Sequence, residues 1–397
     1  MKDKIVLAFP YYQVSGVPIL FARLAKALSA LHYRVVIVDF RDGALNSLTG
    51  DLDVERRNFD TGKHLFFKSN EIVIMQASSL EYIRPEYQFN LRTRLLFWHL
   101  HPDNLKLNKI RFFRNSRNYR ILRFFEYKKL KSFVQLITKK NGIIAMDETN
   151  SFTPNDYYRH QFNIPICPIL TSSGSGSLSK LSPTMNWAYL GRVEGFKILA
   201  IKKLIISISE YNKQVSGRIR FFLIGPGKEV EEILRLARKL ELDLVYLGVI
   251  KNDKLTQVFH ENKISTVFAM GTAIIDAMKG GCVVIKLNYF NFNTELYPDY
   301  FLKVEELGYC LGKELCVTEL GSLSKLSTLA VTINKEYDQI IKRQNSYLSK
   351  YYNNNKNLHQ FLMRVENSKL RFQHVEMFTR RGTIRKLYHY LKYQLYE

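Results

Sequence analysis

Acidic residues are scarce in this chain, and what it lacks narrows its chemistry before any motif is considered. Only 36 Asp and Glu stand against 59 Lys and Arg, a formal net charge of +23. Such an excess calls for an anionic partner: nucleic acid, anionic lipid or a phosphorylated substrate. Cysteine is rarer still. Cys167, Cys282, Cys310 and Cys316 have no metal-ligand spacing and read as reduced thiols of a cytoplasmic protein. No uninterrupted apolar run reaches the length of a membrane span, and Ile5–Phe9 is too short for the apolar segment of a signal peptide. Zinc-finger spacing, an RNP-like aromatic motif and a helix-turn-helix are all missing, so nucleic acid has charge alone in its favour and is not expected as a partner. The G-x-G-x-x-G dinucleotide fingerprint is missing too.

What is present is a set of short buried strands joined by glycine turns. With 397 residues the chain suits two domains of ordinary size. The most informative stretch is 264–287, ISTVFAMGTAIIDAMKGGCVVIKL. It reads as a strand ending at Val267-Phe268, a turn at Gly271-Thr272, a helix from Ala273 to Lys279, a stop at Gly280-Gly281, and a second strand from Cys282 to Leu287. Such a turn points free N–H groups at one spot that the helix dipole makes attractive to phosphate. Asp276, one turn in, is near enough to accept from a sugar hydroxyl. A plain crossover in which glycine merely permits the bend reads the same way.

Earlier in the chain, strand Ile5–Phe9, a loop through Gly16, helix Pro18–Leu31 and strand Arg34–Phe40 make a similar opening. Strands Asn70–Gln76 and Thr93–Trp98 follow, the second running into His99-Leu100-His101-Pro102-Asp103. Open α/β sheets bind ligands just past the carboxyl ends of their strands, and imidazole there can donate to a hydroxyl or phosphate or exchange a proton. His101 is the first candidate and His99 the second; a loop-capping role accounts for at least one of them. Residues 105–140 interleave many Lys and Arg, and the single acid Glu126, with Phe, Ile and Leu at roughly helical spacing. That suits a helix in an anionic membrane surface, and equally a solvated helix face whose apolar side packs on the sheet. The run 171–177, TSSGSGS, marks a linker. After it come strand Asn186–Leu190, Gly191-Arg192 and Lys197, strand Arg220–Ile224, Gly225-Pro226-Gly227, an amphipathic helix Glu229–Glu241, strand Leu244–Leu247 and the turn Gly248-Val249-Ile250.

MGTAIIDAMKGGCVVI resembles the donor-site signature of nucleotide-sugar glycosyltransferases, especially glycosyltransferase family 4. Gly191-Arg192 with Lys197 six positions on is similar to that family's Gly-Arg…Lys motif. The order of motifs over 186–287 carries the likeness. Three departures stand out: Asp276 replaces the usual Glu, Phe268 occupies a position where many members carry another Glu, and the long Gly-rich insert before that position is missing. The resemblance implies an α/β fold of two Rossmann-like domains facing a cleft (GT-B type): an acceptor domain at 1–170, a linker at 171–185, a nucleotide-sugar domain at 186–375, and a basic helix at 376–397 that can cross back. It implies that Arg192 and Lys197 neutralise the departing diphosphate with the Gly271-Thr272 N–H groups. Asp276 then holds the ribose, and the Gly225–Gly227 turn and the backbone at Ile250 hold the base. Gly16 lies beside diphosphate and acceptor, and His101 touches the transferred sugar. No cofactor or obligatory metal is implied, and no Asp-x-Asp motif follows a suitable strand.

The expected activity is sugar transfer from a nucleoside-diphosphate sugar to a lipid-linked glycan acceptor in bacterial surface polysaccharide synthesis, with retention at the anomeric carbon implied by the resemblance. The expected location is cytoplasmic, peripheral on the anionic inner face of the cell membrane. The rival readings are a nucleotide-sugar 2-epimerase of the same fold and a non-catalytic basic binding protein.

Overall fold

The computed structural model describes residues 4–60, 63–77, 86–106, 117–171, 181–215, 217–287, 299–300, 304–306, 308–309 and 324–379; for 117–123, 196, 299–300, 306, 324 and 379 it describes the backbone alone. The basic tail 380–397, residues 107–116 of the basic run, the serine-glycine run 172–180, and Cys310 and Cys316 lie outside the described residues.

The chain divides into two compact units, Met1–Leu170 with Asn354–Glu397, and Thr171–Asn353. In the first, β1 (Lys4–Ala8), α1 (Gly16–Ala30), β2 (Val35–Asp39), the short α2 (Ala44–Leu48) and β3 (Glu55–Asn58) are followed by β4 (Leu65–Phe67), β5 (Glu71–Gln76), β6 (Tyr87–Phe89) and β7 (Arg94–His99). The long α3 (Arg117–Lys139), β8 (Ile143–Ala145) and α4 (Glu148–Tyr158) complete its first pass. The six-stranded sheet runs β3-β2-β1-β5-β7-β8, with every neighbour pair parallel. Its central strands are continuous Val, Ile, Leu and Met because helices cover both faces. The order reverses between β1 and β5, and the carboxyl edge beside that reversal is where such sheets take ligands.

The second unit has β9 (Asn186–Leu190), α5 (Ile198–Gln214), β10 (Arg220–Ile224), α6 (Val230–Lys239), β11 (Leu244–Gly248), α7 (Leu255–Glu261), β12 (Thr266–Ala269), α8 (Thr272–Lys279), β13 (Val283–Lys286) and α9 (Leu326–Tyr351). Its sheet runs β11-β10-β9-β12-β13, again parallel throughout, with the reversal between β9 and β12. Phe268 is fully buried in this core, its ring 5.9 Å from that of Trp187. A carboxylate could not be solvated there, which is the physical reason this position holds an aromatic residue.

The second unit ends earlier than residue 375. Helices α10 (Asn354–Asn367) and α11 (Phe372–Thr379) belong to the first unit. β8 covers only Phe97–His99 of β7, and the returning chain covers the rest. Leu95 N–H donates to Leu370 O at 3.0 Å and Phe372 N–H to Thr93 O at 2.9 Å. The Arg94 guanidinium donates to the carbonyls of Val365, Glu366 and Ser368. Leu370 is buried against Gly142, where an added Cβ would meet it at 2.4 Å.

Candidate functional site

In the five-stranded sheet of the second unit all strands are parallel, so the loops after β9, β10, β11 and β12 share one edge. The turn at the head of α8 is built on Gly271, with φ 61° and ψ −136°. A side chain there is strained whatever room it has. This conformation starts α8 sharply, leaving the first-turn N–H groups at the carboxyl edge. Asp276 follows one turn later, its Oδ2 3.5 Å from Nδ2 of Asn252 in the loop after β11. Asn252, which no sequence motif flagged, therefore joins Ile250 and Asp276 on this side of the edge.

The loop after β9 carries the cations. Arg192 Nη1 donates to Glu194 Oε1 at 2.6 Å. Lys197 is partly buried at the start of α5. Burial pushes its ammonium down to about 8, Arg192 pushes the same way, and Glu194 opposes them. Glu194 escaped the sequence reading because a lone acid between two cations has no spacing signature; here it holds the guanidinium in place. The Gly225-Pro226-Gly227 turn has a structural cause of its own. A Cβ on Gly225 would lie 2.2 Å from Gly191 O, and one on Gly227 2.0 Å from Val193 O. Gly191 N–H donates to Ile224 O at 3.0 Å and Val193 N–H to Pro226 O at 2.8 Å. The two glycines thus let the β10 turn support the Arg192 loop backbone to backbone.

Lys197 gives the site a pH dependence whose sign can be worked out. Its folded pKa is lowered, so between about 8 and the ordinary 10.5 the folded chain binds fewer protons than the unfolded one. Burying it therefore costs stability below about pH 8, and the cost fades as pH rises. A bound diphosphate needs the charged form and feels the opposite trend. For a nucleoside diphosphate held there, as the family 4 resemblance implies, affinity should be flat up to about pH 8 and fall by up to tenfold towards about pH 9. Lys197→Met should bind more weakly with no such limb. A flat wild-type calorimetric titration over that range would show that Lys197 does not serve a phosphate as the resemblance implies.

In the first unit the two histidines part company. His99, the last residue of β7, is fully buried. Burial holds its ring down to about 4, the backbone of Asn150 and His101 opposing in part. Neither ring nitrogen meets a partner in full hydrogen-bond geometry. His99 is a neutral core residue. His101 has 47% of its side chain exposed. Its Nδ1 accepts the Asp103 N–H at 3.2 Å, so the neutral ring keeps its proton on Nε2, free to donate. Burial and Lys106 hold its pKa below the ordinary value against Asp103. Gly16 opens α1 at the same edge, with nothing within 4 Å of the position a Cβ would take. Asp39, at the end of β2, was not singled out in the sequence. It is buried and accepts N–H groups from Tyr11, Phe40, Leu45 and Asn46 at 2.8–3.1 Å. A carboxylate so occupied anchors loops and is not a ribose ligand.

No family model matches the sequence, and no curated protein matches it. Among solved structures, HepE from Anabaena, crystallised with UDP and glucose, aligns with a TM-score of 0.58 at 13% identity, over 92% of this chain and 99% of HepE. The chain has the GT-B fold. WaaG, a glycosyltransferase involved in lipopolysaccharide biosynthesis, gives 0.45 at 10% identity, over 94% of this chain and 98% of WaaG. TarM from S. aureus gives 0.46 at 10% identity, over 86% of this chain and 58% of TarM. At these identities the likeness concerns the GT-B fold, with its mixed α/β architecture and parallel sheets.

Proposed function

We propose that this chain is a glycosyltransferase that moves a sugar from a nucleoside-diphosphate donor to a glycan acceptor. The observation that carries the reading is the carboxyl edge of the second unit. There a positive-φ glycine opens α8 beside the strand-order reversal, and a braced Arg192–Lys197 loop leaves β9 on the other side of it. HepE's bound UDP and glucose support a uridine nucleotide as the first donor to try. In this reading the bond between anomeric carbon and phosphate oxygen breaks, its electron pair leaves with the diphosphate, an acceptor hydroxyl oxygen forms the new bond to the anomeric carbon, and the hydroxyl's proton passes to the departing phosphate oxygen. Arg192, Lys197 and the first N–H groups of α8 stabilise the charge growing on the departing oxygen. Asp276 and the backbone at Ile250 hold the nucleoside, and Gly225 and Gly227 shape the turn beside it. On the first unit, Nε2–H of His101 donates to the sugar, and Gly16 lets substrate approach the backbone. Retention of configuration follows the family 4 resemblance. Mass spectrometry of products from a panel of UDP-sugars and lipid-diphosphate sugar acceptors tests the reading; consumption of the donor without acceptor and without hydrolysis would favour an epimerase instead.

The finer proposal is a lipid-linked acceptor reached at an anionic membrane surface, the cytoplasmic inner face of the cell membrane. α3 buries Phe133, Val134 and Ile137 in the core yet leaves Phe124 52% and Phe125 63% exposed, with Lys128 Nζ 4.4 Å from the Phe124 ring centre. Among the described residues no helix is long and apolar enough to cross a membrane. The protein should therefore sediment with anionic vesicles and leave them at about 1 M salt, where the Debye length is about 3 Å. Phe124→Ser with Phe125→Ser should weaken this binding. Equal binding to neutral vesicles would defeat the docking proposal.

A further inference from the structure

The first unit carries a second constructed feature at its carboxyl edge that the donor chemistry does not use. The loop after β1 turns Tyr12 outward, 64% exposed. Its ring lies flat on Phe40, centres 4.1 Å apart and planes 7° from parallel. Phe40 is itself backed edge-on by buried Phe59 at 5.4 Å. The loop is fixed from below: one Asp39 oxygen accepts both the Tyr11 and Phe40 N–H groups, and Ala44 N–H donates to Tyr11 O at 2.7 Å. An exposed tyrosine on a mobile loop is ordinary surface. One held flat on a buried stack, over a carboxylate that ties both flanking segments, is a preformed apolar platform.

Next to Phe40 lies a cavity of about 550 Å³, lined among others by Arg41, Asp42, Asn46, Arg56 and Asn58. Asn46 joins the two features, because its Nδ2 donates to Phe40 O at 2.8 Å while its side chain lines the cavity. Arg56 is held in place by the carbonyls of Thr49, Leu52 and Val54. Two arginines against the one carboxylate of Asp42 leave the cavity net positive. A flat ring face beside a cationic, amide-lined pocket matches a ligand with an apolar face and an anionic group a few bonds away.

We propose that Tyr12 and the Arg41–Arg56 pocket form an acceptor subsite for a pyranose bearing a phosphate or carboxylate. The C–H face of the sugar packs on Tyr12, and the anionic substituent enters the pocket, where Arg41 meets it and Asn58 serves its oxygens and neighbouring hydroxyls, while Asn46 ties the pocket wall to Phe40. This subsite rests on the glycosyltransferase reading for its role as an acceptor site, but not for its binding chemistry.

The test uses the full chain, with glucose 6-phosphate, glucuronate and methyl glucoside as probes and saturation-transfer NMR titration as the readout. Wild type should bind the phosphate or the carboxylate sugar about tenfold more tightly than methyl glucoside. Tyr12→Ala should weaken all three probes by roughly threefold to tenfold, and Tyr12→Phe should restore them. Arg41→Ser should abolish the preference for charged sugars and leave methyl glucoside unchanged. Thermal unfolding of each variant checks that the exposed changes leave the fold intact. Equal affinity of wild type for charged and neutral sugars, or unchanged binding in Tyr12→Ala, overturns the subsite. UDP titrated into the same samples, followed by ADP, GDP, CDP and TDP, separates the two readings. A chain that binds charged sugars at Tyr12 but neither UDP nor any of ADP, GDP, CDP and TDP keeps the subsite and loses the transferase. A chain that binds UDP but none of the sugars keeps the transferase and loses the subsite.

Discussion

Arg192→Ala and Lys197→Ala should each lose roughly two to three decades of turnover, about 2–4 kcal/mol of transition-state stabilisation. In the proposed reaction their charges face a leaving group whose own charge grows as the sugar bond breaks, so each would contribute more at the transition state than in the donor complex. The loss should therefore fall on kcat more than on donor KM. The brace from Glu194 at 2.6 Å sharpens the expectation for Arg192, because a guanidinium already oriented loses little freedom when the diphosphate arrives. Asp276→Ala is the contrast. A contact to the ribose is equally good before and during bond breaking, so this variant should raise donor KM and spare kcat. Steady-state kinetics with the donor found in the product screen decides the matter. Wild-type turnover in both cation variants would remove the diphosphate from the β9 loop.

The second large effect is on stability. Asp39→Ala should destabilise the first unit by about 2–4 kcal/mol, since it strands four backbone N–H donors from three segments around a fully buried side chain. Burial pulls the Asp39 carboxyl upward and the N–H groups pull it down, with burial prevailing. Asp39→Asn keeps the shape but offers one carbonyl oxygen in place of two acceptors, so it should fall between wild type and alanine. Hydrogen exchange followed by mass spectrometry localises the change: protection should fall across β1, β2 and α2 while the second unit keeps its own. Undiminished protection in Asp39→Ala would show that those donors find other partners.

These two sites differ in how visible they were in the sequence. The central strands are apolar runs closed by glycine turns, so β1, β2, β5, β7, β9, β10, β12 and β13 stand out without any structure. β3 does not: its sequence is ERRN, mostly exposed, and Arg57 fixes it at the edge by gripping buried Glu71 through both oxygens at 2.5 and 3.1 Å. α4 is equally hard to see, with Pro154 in its interior and a weak apolar stripe; its start is set by Asp147 accepting the Asn150 N–H at 2.8 Å. The Gly-Arg…Lys and Gly-Thr motifs were legible because local spacing defines them. The contacts of Asn252, Asp39 and Tyr12 were not, because each depends on a partner brought in by the fold, and that of Glu194 was not, because a lone acid between two cations has no spacing signature. His99 and His101 differ in burial, which two nearby positions at a strand end do not reveal. The placement of α10 and α11 was least legible of all, resting on contacts between residues far apart in the chain.

That placement has a consequence for how the protein is made. The carbonyls that receive Arg94 lie 271–274 residues downstream of it. At about 5–20 residues per second, a ribosome needs roughly 15–50 seconds to deliver them. Until then the amino-terminal half of β7 is an open strand edge beside a completed row of apolar strands, the kind of edge that recruits other chains. The second unit, continuous in sequence, can finish folding while the first still waits. A chaperone that guards nascent chains should therefore engage this protein between synthesis of β7 and synthesis of residue 372, and release it once the returning segment has closed the sheet.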